Sequence, residues 1–142
     1  MPKPRIYLAA PLFSQAERAF NMVLKQELLP YADVWLPQED GTLLVDMLAQ
    51  GQSRDKACKE IFRQDLVAID DATMAVIVLD GRVVDEGAAF ELGYAWSRGK
   101  RCVALRTDPR QLLAHGNNPM IEQAVERTFT SVSDLVEWVS GI

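Results

Sequence analysis

Ala72-Thr73-Met74-Ala75-Val76-Ile77-Val78-Leu79 is almost wholly apolar, with Asp71 before it and Asp80-Gly81-Arg82 after it. A strand with one face in water alternates apolar and polar residues, and a strand covered on both faces does not. The run is of strand length and β-branched at Val76, Ile77 and Val78. It reads as the middle of a parallel sheet with helices above and below.

The flanks agree. Upstream, Ser53 is a fitting cap for a helix reaching Ile69, with Ala57, Ile61, Leu66 and Ile69 turned inward. Downstream, Asp85 to Arg98 is helical in composition, and Gly99 ends it as a C′ glycine. Arg101 to Leu105 is a further strand. Nearer the N-terminus, Arg5-Ile6-Tyr7-Leu8-Ala9-Ala10 is a short apolar run closed by Pro11. Ser14-Gln15-Ala16-Glu17 matches a capping box. It predicts a helix from Ala16 to Leu29 with Phe20, Val23, Leu24 and Leu28 on its buried face, stopped by Pro30. Ala32 to Leu36 is a second strand, and Gln38 to Gly51 a loop with one short helix. Thr107 to Pro119 is polar and irregular, and Met120 to Val125 is a short helix. Arg127-Thr128-Phe129 is a brief last strand, and Ser131 or Ser133 caps a final helix ending near Val139.

Strands alternating with helices imply right-handed crossovers and a parallel sheet. The expected architecture is α/β: one domain over residues 1–142, a doubly wound five-stranded parallel sheet of flavodoxin-like type. Its expected strand order is 2-1-3-4-5, with helices on both faces. Ligands of such sheets sit beyond the carboxyl ends of the strands, near the switch point between strands 1 and 3. Tyr7 to Phe13, Asp80 to Glu91 and the loop after strand 4 lie there.

Composition removes several functions. Lys and Arg number 15 against 20 Asp and Glu, a net charge of -5, which repels nucleic-acid phosphates and anionic membranes. The N-terminal apolar run is too short for a signal peptide, and no stretch approaches the length of a membrane span. The expectation is a soluble cytoplasmic protein. Cys58 and Cys102 are isolated and read as reduced thiols. With His115 the single histidine, in a loop, a zinc site lacks ligands. No G-x-S-x-G, G-x-G-x-x-G or Walker loop occurs. No metal or cofactor is therefore expected, and chemistry falls to carboxylates.

Glu91 stands out among them. On a helix it shares a face with Gly87, Ala88 and Ala95, small neighbours that leave a hollow above the carboxylate. Gly87 and Gly93 each cost the helix about 1 kcal/mol against Ala, which suits a close approach. Asp85 and Glu86 suit a helix N-terminus through capping and the dipole. From the residues alone, Asp65 reads as a solvated carboxylate beside Arg63, and Tyr7 as a core tyrosine whose hydroxyl reaches the sheet edge.

Ile6 to Phe13, then Asp65, then Asp85-Glu86-Gly87-Ala88-Ala89-Phe90-Glu91-Leu92-Gly93-Tyr94-Ala95, then Asn117-Asn118-Pro119-Met120 resemble the nucleoside 2-deoxyribosyltransferase family. The resemblance runs in order along nearly the whole chain. It implies that Glu91 is a nucleophile forming a covalent deoxyribosyl-enzyme at the anomeric carbon of a 2′-deoxynucleoside. It implies that Asp65 and Asp85 hold base and sugar and manage the leaving-base proton, and that Tyr7 orients Glu91. It further implies a homo-oligomer in which Asn118 and Met120 reach a neighbouring site. Together with the strand outlets, it makes Ala10, Pro11, Phe13, Gly87, Ala88, Asn118 and Met120 the expected substrate contacts. The implied substrates are a deoxynucleoside and a free nucleobase, a salvage reaction without cofactor.

Leu8-Ala9-Ala10-Pro11 lacks the Gly- and Ser-rich stretch with which nucleotide-cleaving relatives bind phosphate, so the sequence leans towards nucleosides. Two other readings stand beside transfer: an N-glycosidase passing the sugar to water from the same nucleophile, and a non-catalytic nucleotide-binding module. Base preference rests on loop contacts between Pro37 and Gly51. Trp35, Trp96 and Trp138 read as core or interface aromatics.

Overall fold

The computed structural model describes residues 2–110 and 114–142. Of the irregular stretch expected from Thr107 to Pro119, residues 111–113 lie outside the described residues, as does Met1.

Five parallel strands form one sheet: β1 (Arg5–Ala9), β2 (Asp33–Trp35), β3 (Met74–Val78), β4 (Arg101–Leu105) and β5 (Thr128–Phe129). Their spatial order is β2-β1-β3-β4-β5, as the alternation of elements implied. All five residues of β3 are buried, which accounts for its unbroken apolar run. The reversal of strand order between β1 and β3 opens the crevice where such sheets bind ligands.

The helices are α1 (Gln15–Leu28), α2 (Pro37–Asp40), α3 (Leu44–Ala49), α4 (Arg54–Asp71), α5 (Glu86–Ser97), α6 (Pro119–Ala124) and α7 (Val132–Ser140). Side chains cap most of them. The Ser14 hydroxyl accepts the Glu17 N–H at 3.1 Å while Glu17 accepts the Ser14 N–H at 2.7 Å, a complete capping box. Ser53 and Ser131 accept from the first turns of α4 and α7. Gly99 closes α5 at φ 71°, in the left-handed region where glycine is unstrained.

The core has two halves. Ile6, Leu8, Val76 and Val78 face α1 and α7, whereas Tyr7, Ala75 and Ile77 face α4 and α5. Successive strand residues thus go to opposite faces. The second half is rich in alanine at Ala68, Ala75, Ala88 and Ala95, which lets α4 and α5 lie close to the sheet.

The phase of α1 corrects one expectation. Val23 is exposed, and the buried stripe is Asn21, Leu24, Lys25 and Leu28. Two polar side chains occupy it because each is held. Asn21 Nδ2 donates to the Pro11 carbonyl at 2.8 Å and to Gln38 at 2.9 Å. Lys25 Nζ reaches Asp40 at 2.6 Å and Glu39 at 3.1 Å. Burial pulls the Lys25 pKa down, but the hydrogen bonds from Asp40 and Glu39 outweigh it, and the group stays charged. The segment after β2 also differs from expectation, holding two short helices in place of one, the first opened by Pro37.

Candidate active site

Tyr7 lies in the middle of β1, beside Trp35 of β2 and Ala75 of β3. The residue is wholly buried, and its side chain rises on the α4–α5 side of the sheet. Asp65 comes from α4 and Glu91 from the second turn of α5. Asp85 is the N-cap of α5, its Oδ2 accepting the Ala88 N–H at 2.9 Å. Three separate elements thus bring four groups into one electrostatic cluster. Among the described residues, neither the Tyr7 hydroxyl nor Glu91 Oε2 has a hydrogen-bond partner of good geometry, and both atoms are buried.

Burial is what moves these groups from their ordinary behaviour. It pushes the Glu91 carboxyl up to about 8; the charge of Asp65 adds to the rise, the nearby Tyr7 hydroxyl opposes it, and Asp85 adds a smaller push. Burial also pushes Asp65 up to about 6. The Tyr7 phenol moves far upward through burial and then through the charges of Glu91 and Asp65, so it is a neutral donor at any working pH. A buried carboxyl, a neutral hydroxyl and a second carboxyl of raised pKa, each sensing the others' charge, are the kinds of group that nucleophilic and acid–base chemistry draws on.

An ionised Glu91 has a cost in stability that is testable without substrate. A carboxyl whose pKa is raised on folding binds a proton more tightly in the native state. Its penalty is absent below the unfolded value near 4.5, grows as pH rises towards 8 and is constant above. Glu91→Gln is expected to leave the melting temperature unchanged at pH 4.5. At pH 8.5 it is expected to raise stability by on the order of 2 kcal/mol, roughly 5 °C in Tm. Thermal unfolding at the two pH values checks this; an equal effect at both would mean that the charge is not buried in the native state.

The other expected contacts fall in three places. Ala10 and Pro11 are buried at the outlet of β1, with the Pro11 carbonyl fixed by Asn21, a residue the apolar pattern did not mark. Phe13 follows them, 75% exposed. Ala88 is buried under the first turn of α5, and Gly87 keeps room for the cap, since a Cβ there would meet Asp85 Oδ2 at 3.2 Å. A Cβ at Gly93 would meet nothing within 4 Å among the described residues, so no packing among them requires the glycine.

Asn118 and Met120 do not join the carboxylates. They line a groove of about 700 Å³ between α5 and α6, together with Ala89, Leu92, Gly93 and Trp96. Tyr7, Asp65, Asp85 and Glu91 are not in its wall. Met120 is 81% exposed and Trp96 60%, both unusually open for large apolar side chains. Among the described residues, no group of three or more His, Cys, Asp and Glu is placed to hold a metal ion. Both cysteines are free, His115 is exposed, and none of the described helices is long and apolar enough to cross a membrane.

Comparison with known proteins adds the following. The family model described as nucleoside 2-deoxyribosyltransferase matches residues 6–134. No curated protein matches the sequence. A conserved protein from Enterococcus faecalis V583 has a TM-score of 0.78 at 28% identity, over 99% of both chains. The 2-deoxyribosyltransferase of the psychrotolerant bacterium Bacillus psychrosaccharolyticus has a TM-score of 0.72 at 21% identity, over 93% of this chain and 90% of that one. The CMP N-glycosidase of Clostridium botulinum has a TM-score of 0.59 at 17% identity, over 95% and 97%. The last two likenesses speak for the fold.

Proposed function

The chain belongs to the nucleoside 2-deoxyribosyltransferase family, and from that premise we propose that it moves 2-deoxyribose between nucleobases, with Glu91 as the covalent nucleophile. One observation carries the reading. The Glu91 carboxyl is buried with Oε2 unpartnered, beside a neutral Tyr7 hydroxyl and the carboxyl of Asp65. A buried polar atom without a partner is costly to the fold. A sugar carbon carrying developing positive charge is the partner this oxygen lacks.

The steps follow from that arrangement. Ionised Glu91 attacks C1′ of a 2′-deoxynucleoside, the C1′–N bond breaks, and a sugar ester of Glu91 forms. The electron pair of the broken bond leaves with the base, which takes a proton from Asp65. Tyr7 donates to the carboxylate and holds it for in-line attack. A second base, giving its ring proton back to Asp65, then attacks C1′ and releases Glu91. Two inversions at one carbon leave the configuration retained. Asn118 and Met120 sit in a groove apart from their own Glu91, which suits residues that reach the site of a neighbouring copy.

Incubating the protein with a 2′-deoxynucleoside and a different free base is expected to yield the second nucleoside, read by chromatography. Free deoxyribose without a new nucleoside would assign the chain to hydrolysis. Ligand binding with neither product would leave it a binding module.

A further inference from the structure

The exits of β3 and β4 are tied together by charged side chains that the Glu91 cluster does not use. Asp80 Oδ1 accepts the N–H of Thr107 at 2.7 Å and of Asp108 at 3.0 Å, while its Oδ2 accepts the Thr107 hydroxyl. Asp108 answers from the other side, its Oδ2 accepting the N–H of Gly81 at 3.2 Å. Gly81 sits at φ 108°, a conformation that favours glycine. Arg110 grips Asp108 through its backbone N–H at 2.9 Å and its guanidinium at 2.7 Å. Those contacts hold the Asp108 carboxyl well below the usual carboxylate range. Arg106 completes the chain, donating to the Arg110 carbonyl at 3.1 Å and to the side-chain oxygen of Asn117. Asn117 precedes Asn118, whose side chain caps α6 by accepting the Met120 N–H at 2.9 Å.

Hydrogen bonds therefore run without a break from Asp80 and Gly81, in the loop that leads to Asp85, to Asn117, the residue before the α6 cap. The sheet does not need them. Its β3–β4 pairing ends at Val78 and Leu105, with one more bond from the Leu79 N–H to the Leu105 carbonyl, and the clasp lies beyond. Charge-assisted bonds are about twice as strong as neutral ones, and here they are spent on two loop exits.

We propose that Asp80, Asp108 and Arg106 are positioning residues that set the Asp85 loop and the Asn118 turn as one unit relative to Glu91. The proposal rests on Glu91 acting as the nucleophile, and it acts through Asp85 and Asn118, not by contact with substrate. Small misplacements of substrate-holding groups are enough to cost rate, about 100-fold for 1 Å.

The test uses the full chain, its Asp80→Ala, Asp80→Asn and Arg106→Ala variants and the double Ala variant. Asp80→Ala is expected to lower kcat for base exchange about 10- to 100-fold with circular dichroism unchanged. Asp80→Asn keeps one acceptor oxygen for the two amides and is expected to recover most of that loss. The double variant is expected to lose no more than the worse single one, because both changes break one network. Hydrogen–deuterium exchange gives a readout independent of activity. Arg106→Ala is expected to speed exchange at residues 81–88, with none of which its guanidinium shares a hydrogen bond. Wild-type kcat in a folded Asp80→Ala protein, a double loss equal to the product of the single losses, or an Arg106→Ala effect confined to residues 106–120 would each overturn the proposal. Should Asp80→Ala not fold, Thr107→Val removes only the hydroxyl bond and is read by the same measures. A wild-type protein without turnover would remove the Glu91 reading instead, and the exchange data alone would then decide the clasp.

Discussion

Glu91→Ala is expected to reduce turnover by roughly a thousandfold to a millionfold, while a deoxynucleoside still binds. The carboxylate forms its bond to the sugar only on the way to the transition state, so its removal falls on kcat and leaves ground-state contacts in place. The buried setting strengthens the effect. Oε2 is buried and has no hydrogen-bond partner among the described residues, so it is free to meet the sugar carbon. Calorimetric binding beside steady-state rates separates the two quantities. Acid-quenched wild-type protein should show by mass spectrometry one dehydrated deoxyribose attached to the α5 peptide, absent from the variant. A variant that turns over at the wild-type rate would exclude Glu91 from the chemistry.

The second large effect belongs to Asp65. Asp65→Asn is expected to slow cleavage by about 10²- to 10⁴-fold, the range for loss of a general acid or base. Most of that rate should return with a 7-methylpurine deoxynucleoside, whose base leaves without needing a proton. The pH profile follows from the same pair. In the proposed mechanism, activity requires one proton shared between Asp65, near 6, and Glu91, near 8. For the wild-type protein kcat/KM should rise through about 6, peak near neutrality and fall through about 8, values that belong to the pair and not to either residue. The Asp65 charge helps to raise Glu91 but burial raises it more, so Asp65→Asn should leave a single rising limb, lying between about 6 and about 8, without the alkaline fall. A full loss on the methylated substrate, or an unchanged bell in the variant, would show that the proton comes from elsewhere.

Local chemistry explains which features were readable. The buried β3, the Ser14 capping box and the Gly99 stop are written in neighbouring residues, and with them came the strand order. Glu91 stands out as a candidate for the same reason, through Gly87, Ala88 and Ala95 one turn away on its own helix. Asp65 and Tyr7 carry no such signature. What brings them to Glu91 is that α4 and β1 meet α5, a fact of tertiary packing, and the roles proposed for them come from family resemblance. The phase of α1 differs from the expected one because a stripe rule counts apolar residues, whereas Asn21 and Lys25 are buried by partners ten or more residues away. Asp80 and Thr107 are 27 residues apart, so no short motif announces their clasp.

Tyr7 belongs to a strand hydrogen-bonded on both sides, Asp65 to a helix on its face, and Glu91 to the crossover after the next strand. No peptide shorter than residues 7–91 holds all three, and a cut anywhere between Tyr7 and Glu91 puts at least one of them on a different fragment. The chemistry cannot be grafted as a loop onto a foreign scaffold; whoever wishes to miniaturise it must carry the central strands along.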